Sequence, residues 1–143
     1  KSLPLPMVIG ALKRLDLIHQ HPEYQAQLWN ITRALQSGLR ENGFDIGVTQ
    51  SPVTPVYMRG GNEEGTNLVV DLRENYGVFC SIVVYPVIPK GEIILRLIPT
   101  ASHTLEDVDC TIRAFKAVRE KFESGFYRKM AIPNMADTDF RMK

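Results

Sequence analysis

The chain has little of what usually gives a protein's activity away. It has two cysteines in 143 residues, Cys80 and Cys110, and their separation fits no metal-binding spacing. With no secretory pattern ahead of them, they read as reduced, partly buried thiols of a cytoplasmic protein. Charge bias is also missing. Lysines and arginines number 17 against 16 acids, a formal net charge of +1, and neither sign is gathered into a long block. This argues against nucleic acid or an anionic membrane as the main partner. No apolar run is long enough to span a bilayer. The chain shows no Ser/His/Asp set, Gly-rich phosphate loop or cluster of metal ligands. Gly60-Gly61 is followed by Glu63 and Glu64, the wrong charge for a phosphate cradle. His19-Gln20-His21 has no third ligand nearby and reads as a solvated helix end. There is no initiator methionine, and the first residues read as the middle of a longer polypeptide.

What is present is an ordinary globular pattern, long enough for one domain with a real core. Leu3-Pro4-Leu5-Pro6 is an extended entry to a helix from Met7 to Ile18, with Val8, Leu12 and Leu15 at helical spacing and Ile9 and Ile18 beside them. Glu23 to Glu41 is the clearest helix. Tyr24, Leu28, Ile31, Leu35 and Leu39 form its stripe, Ala34 and Gly38 permit close packing, Trp29 lies off the stripe, and Asn42-Gly43 ends it. Phe44 to Ser51 is a connector with room for a short strand. A strand is predicted over Pro52 to Arg59, a short helix over Asn67 to Tyr76 with Thr66 or Asn67 as cap, and a strand over Val78 to Val84. A loop, Tyr85 to Glu92, leads to a third strand, Ile93 to Ile98. Thr104 opens the last helix with a capping box in which Asp107 stands where Glu or Gln is usual. The stripe Leu105, Val108, Ile112, Phe115, Val118 and Phe122 runs to about Glu123. The remainder, 124–143, reads as an irregular, loosely held tail. This order predicts an α+β layer, a small, mostly antiparallel three-stranded sheet with helices on one face and the third strand between the first two.

One residue is out of keeping. Arg96 sits inside the third strand with Ile93, Ile94, Leu95, Leu97 and Ile98 around it. A guanidinium there is costly unless an anion meets it. A carboxylate of the same chain or water at a strand edge would serve; so would a ligand carboxylate or phosphate held by its forked donors. The other polar candidates read as structural. His103 suits a hydrogen-bonded corner, Asp107 and Asp109 a cap and a surface position, and Cys80 packing.

The order of motifs is more specific than any one of them. Ser2-Leu3-Pro4 precedes an Ala/Leu-rich helix; then come Thr54-Pro55-Val56, Tyr76-Gly77-Val78-Phe79, Tyr85-Pro86-Val87-Ile88-Pro89, and Leu95-Arg96-Leu97-Ile98-Pro99-Thr100-Ala101-Ser102-His103-Thr104. From Ser2 to about Phe122 this resembles the C-terminal lobe of the α-oxoamine synthases, pyridoxal-phosphate enzymes of the aspartate-aminotransferase fold. Gly10 to Leu15 and Val83-Val84-Tyr85-Pro86 look most like serine palmitoyltransferase.

The resemblance implies a C-terminal small domain over 1–123 and a tail over 124–143, with the large cofactor domain outside the chain. Lys1 falls after the position of the cofactor lysine. The parent enzyme would be a homodimer that condenses an amino acid, L-serine by this resemblance, with a long-chain acyl-CoA, as in the first step of sphingolipid synthesis; glycine with acetyl-CoA is the alternative. Arg96 would bind the α-carboxylate of the cofactor-bound amino acid, and Ser2 would approach the cofactor phosphate of the neighbouring subunit. His103 and Thr104 would shape the strand-to-helix corner. No catalytic residue and no metal site fall in the chain, which alone should not turn over, and weak peripheral contact of the tail with a membrane stays open. Two rivals remain: a free-standing α+β module that senses a small anion, and a purely structural lobe in which Arg96 is satisfied internally.

Overall fold

The computed structural model describes residues 2–130; Lys1 and the part of the expected tail from 131 to 143 lie outside it. Seven elements follow one another: α1 (Leu5–Gln20), α2 (Pro22–Glu41), β1 (Thr54–Arg59), α3 (Asn62–Tyr76), β2 (Ser81–Val83), β3 (Glu92–Leu97) and α4 (Leu105–Glu123). The sheet is antiparallel in the order β1-β3-β2, so the third strand does lie between the first two.

Alternation along β3 decides what each face does. Ile93, Leu95 and Leu97 point into the core together with Val56 and Thr54 of β1. Across the strands, Arg96 stands opposite Pro55 and Ser81, and Ile94 opposite Tyr57 and Val83. Side chains on a strand alternate between faces, so these residues share the other face, which no element of the described chain covers. The helical layer fills the core side with Ile31, Leu35 and Leu39 from α2, Leu68 and Leu72 from α3, and Phe115 and Val118 from α4. Phe44 meets Phe115 edge-on at 5.7 Å between centroids. Burying each such side chain contributes ~1.5–3 kcal/mol. Gly38 lets α2 approach α4, because a Cβ there would collide with Ile112.

Several local expectations shift. The third helix begins at Asn62 instead of Asn67. Gly61 is its N-cap and donates its N–H to the Glu64 carboxylate at 2.9 Å, so the two acids occupy the first turn and favour the positive helix end. Asn67 is then buried within the helix, and Gly77, at φ +68°, closes it. Strand β2 is shorter than the apolar run around it, and the connector after α2 forms no strand although Phe44 and Ile46 are buried. Tyr24 and Leu105 sit at the ends of their stripes and are exposed. Cys80 is buried as expected, whereas Cys110 is exposed and not partly buried; both are free thiols.

Residues 124–130 are not loose. Tyr127 is buried and gives its hydroxyl hydrogen to Asp71; Asn67 donates to the Tyr127 carbonyl at 3.1 Å; Arg128 pairs with Glu64 at 2.7 Å. The opposite holds at the start. No residue of α1 is buried, and Leu5, Met7, Ile9, Leu12, Leu15 and Ile18 are all exposed.

Candidate functional site

The Arg96 side chain rises from the middle of the central strand. It is exposed, which corrects the expectation of a buried cation. Around Arg96 the run Ile93 to Ile98 is apolar on both faces, but only one face is covered by the described elements. The guanidinium is set in a shallow, largely apolar field: Ile94 is its neighbour on the same strand face, Pro55 is across on β1, and Ser81 is across on β2. Arg96 Nε donates to Ser81 Oγ at 3.1 Å. Among the described residues no carboxylate approaches it. An internal ion pair would have answered the cost of the charge without a ligand, and none is formed by these residues.

The corner after β3 is built as the motif suggested. His103 Nδ1 accepts the Thr100 N–H at 2.9 Å, which fixes the turn. Thr104 Oγ1 accepts the Asp107 N–H at 3.2 Å, and Asp107 Oδ2 accepts the Thr104 N–H at 2.8 Å. Those Thr104 donors, backbone first and then hydroxyl, hold the Asp107 carboxyl below its ordinary value. Asp107 is therefore a cap, and His103 a corner. Burial pushes the Cys80 thiol up to about 11, which suits packing and not nucleophilic attack. His21 is engaged with Glu23 at 2.7 Å and stacks on Tyr24.

A cavity of about 310 Å³ opens on the helical side, lined by Ile31, Leu35, Val78, Ile98, His103 and Val108 among others. Arg96 does not line it. Ser2 is exposed ahead of α1, and α1 buries none of its residues against the rest of the fold, so nothing among the described residues brings Ser2 and Arg96 together. The described residues thus offer a place for one anionic group on the uncovered sheet face. They offer no cradle for a cofactor phosphate.

Sequence reasoning missed Ser81. Its pairing with Arg96 depends on the β2–β3 register, and the register follows from alternation only once the bounds of β2 are known. It also missed the Asp71–Lys121–Tyr127 cluster, which joins residues 50 or more positions apart and has no local signature. Among the described residues no helix is long and apolar enough to cross a membrane.

No family model matches the chain. Individual proteins do. It is 58% identical over 90% of its length to a cysteate-C-fatty acyltransferase of Capnocytophaga ochracea, 34% over 85% to a serine palmitoyltransferase of Sphingobacterium spiritivorum, and 36% over 82% to an 8-amino-7-oxononanoate synthase of Symbiobacterium thermophilum. It spans only about 30% of the length of these relatives, in their C-terminal part. Among solved structures, Sphingomonas wittichii serine palmitoyltransferase superposes with a TM-score of 0.75 at 26% identity, covering 86% of this chain and 31% of that one. The 8-amino-7-oxononanoate synthase of Francisella tularensis superposes at 0.70 with 17% identity, over 87% of this chain and 35% of that one, which speaks for the fold alone. A helix-backed three-stranded sheet, the motif order from Ser2 to Thr104 and these likenesses agree: the chain belongs to the pyridoxal-phosphate-dependent α-oxoamine synthases, as a C-terminal domain of their aspartate-aminotransferase fold.

Proposed function

We propose that the full-length protein is a pyridoxal-phosphate-dependent acyltransferase that joins an amino acid to a fatty acyl-CoA with loss of carbon dioxide and CoA. The observation that carries this reading is the Arg96 guanidinium, exposed, unmatched by any acid among the described residues and set on a sheet face that none of the described elements covers. Its role is to grip the substrate's α-carboxylate through two parallel N–H···O bonds. Holding that group fixes the rotation about the bond to Cα, and so which bond at Cα is aligned to break. The cofactor, when bound, supplies the electron sink for the charge left at Cα. Arg96 fits the substrate end of that assembly, and the residues that would hold the cofactor itself belong to the rest of the protein. Ser2, exposed before α1, is the one residue here proposed to reach a cofactor phosphate, that of a neighbouring subunit in a homodimer. The reading keeps the protein in the cytoplasm.

For the amino acid, the names of the relatives favour L-cysteate over the L-serine first expected, since the 58% match is named for cysteate and the serine palmitoyltransferase match stands at 34%. Both names point to a fatty acyl donor. Arg96 cannot separate the two amino acids, because both present the same α-carboxylate. The names also weigh against a free-standing sensor of small anions. The deciding experiment supplies the full-length protein with pyridoxal phosphate, palmitoyl-CoA and, in turn, L-cysteate, L-serine and glycine, and follows free thiol. Thiol release that depends on the amino acid, fastest with L-cysteate, is expected. No release with any of them would end the proposal.

The domain reading, a lobe over 1–123 followed by a tail, makes α1 the connecting helix whose apolar stripe the remaining two-thirds of the protein covers. Replacing Leu12 by aspartate should change the stability of the 143-residue chain by less than ~0.5 kcal/mol, as at other exposed sites. In the full-length protein the same change should cost about 2 kcal/mol or more by burying a charge. Urea unfolding of both proteins checks this, and equal effects in the two would remove the covering role of α1.

A further inference from the structure

We propose that Ser81 is a positioning residue for Arg96, holding the guanidinium in the orientation from which it grips the substrate's carboxylate. This rests on the carboxylate reading of Arg96 and deepens it. Arginine is a long side chain whose rotamer freedom must be given up when it binds. On the open face of the sheet little restrains it. The residue directly across on β1 is Pro55, whose ring presents no hydrogen-bonding group. The residue directly across on β2 is Ser81, half-buried, and its Oγ accepts from Arg96 Nε at 3.1 Å.

The choice of nitrogen matters. A guanidinium has five N–H donors in one plane, one on Nε and four on the two terminal nitrogens. A partner at a terminal nitrogen would compete with a bidentate carboxylate. A partner at Nε fixes the plane of the fork and leaves both terminal nitrogens turned outward and free for a pair of parallel bonds. The hydroxyl does this without charge, so it does not offset the cation that the substrate must find. An acid at position 81 would orient Arg96 equally well and would also neutralise it. Register makes the arrangement durable: Ser81 and Arg96 are cross-strand partners whose side chains emerge on one face of the sheet.

The test uses the full-length holoenzyme without acyl-CoA, so that no turnover occurs, and titrates L-cysteate and L-serine by calorimetry. Ser81→Ala should weaken amino-acid affinity about tenfold, the lower end of the weight of one hydrogen bond to a charged group. Its thermal midpoint should stay within about 1 °C of wild type, because the contact lies on the exposed face. Ser81→Thr, which keeps the hydroxyl and suits a strand, should restore affinity. In an Arg96→Lys background, where no Nε exists, Ser81→Ala should have no further effect. If Arg96→Ala abolishes binding while Ser81→Ala binds as wild type, the positioning role is overturned and the carboxylate reading stands. A fall in affinity that comes with a lowered midpoint, and that threonine does not rescue, makes Ser81 structural and equally overturns it. Wild-type affinity in Arg96→Ala, or no binding of either amino acid by the unaltered protein, removes both.

Discussion

Replacing Arg96 by alanine in the full-length protein is expected to weaken amino-acid binding by about 100-fold. A hydrogen bond to a charged group is worth ~1.5–3 kcal/mol, and the proposed grip uses two in a fixed geometry; a net loss of about 3 kcal/mol corresponds to that factor. The apolar neighbours Pro55, Ile94 and Val83 on the same face would be closed in by the rest of the protein and lower the local dielectric, which strengthens the pairing. The loss should fall on kcat as well as on KM. An amino acid held only by its amino end can still rotate about Cα, and less of it stands in the reactive geometry. Arg96→Lys should recover only part of the loss, since an ammonium keeps the charge but not the planar fork. Folding should be indifferent to either change, because the side chain is exposed and its one bond within the described chain goes to Ser81. Steady-state kinetics together with calorimetry distinguish these effects. An unchanged apparent affinity in Arg96→Ala would remove the residue from the site.

The same residue shows how far the sequence could be read. Its strand, the capping box at Thr104 and the corner at His103 were legible because each depends on spacing within about ten residues, and the central place of the strand followed from the order of elements. The exposure of Arg96 was not. Apart from Arg96 itself, Ile93 to Ile98 is apolar on both faces, and such a run reads as a strand buried on both faces. Here one face is buried and the other is left uncovered by the described elements, as in α1, where Val8, Leu12 and Leu15 read correctly as a helical stripe yet none of them is buried among the described residues. Periodicity identifies an apolar face; it does not say whether its cover lies within the chain. The start of α3 was misread for a different reason. Gly61 carries no side chain to advertise a cap, and the Glu64 carboxylate supplies the bond instead. At the level of substrate, the Gly10-to-Leu15 run pointed to serine palmitoyltransferase, whereas the 58% likeness is to a protein named for cysteate.

Asp71→Ala should strongly destabilise the lobe itself, lowering its unfolding free energy by about 3 kcal/mol, the lower end for breaking a buried ion pair. The Asp71 carboxylate, 7% exposed on α3, accepts from Lys121 Nζ at 2.8 Å, from the Tyr127 hydroxyl and from Asn75. Without it the Tyr127 hydroxyl is left buried with no acceptor. Lys121 keeps partial access to water at 35% exposure, so its share of the penalty is the smaller. Residues 124–130 should then be held less firmly to α3, by the Asn67 and Arg128 bonds and the packing of Tyr127. The same cluster sets a dependence on pH. Burial pushes the Asp71 carboxyl up, but the hydrogen bonds from Lys121, Tyr127 and Asn75 together outweigh it and hold the group below its ordinary value. The unfolded chain therefore binds that proton more readily than the folded one. The contribution is whole above the unfolded carboxylate value of about 4 and drains away as pH falls through the lower folded value. Lys121 and Tyr127 are shifted the other way, Lys121 chiefly by its bond to Asp71 and Tyr127 chiefly by burial; their contributions hold below the unfolded values of about 10 and fade as pH rises past them. Urea unfolding from about pH 6 downward should show wild type losing stability more steeply than Asp71→Ala, with the two curves converging in strong acid. Parallel curves would mean that the carboxylate is not what fastens the end of α4 and residues 124–130 to α3.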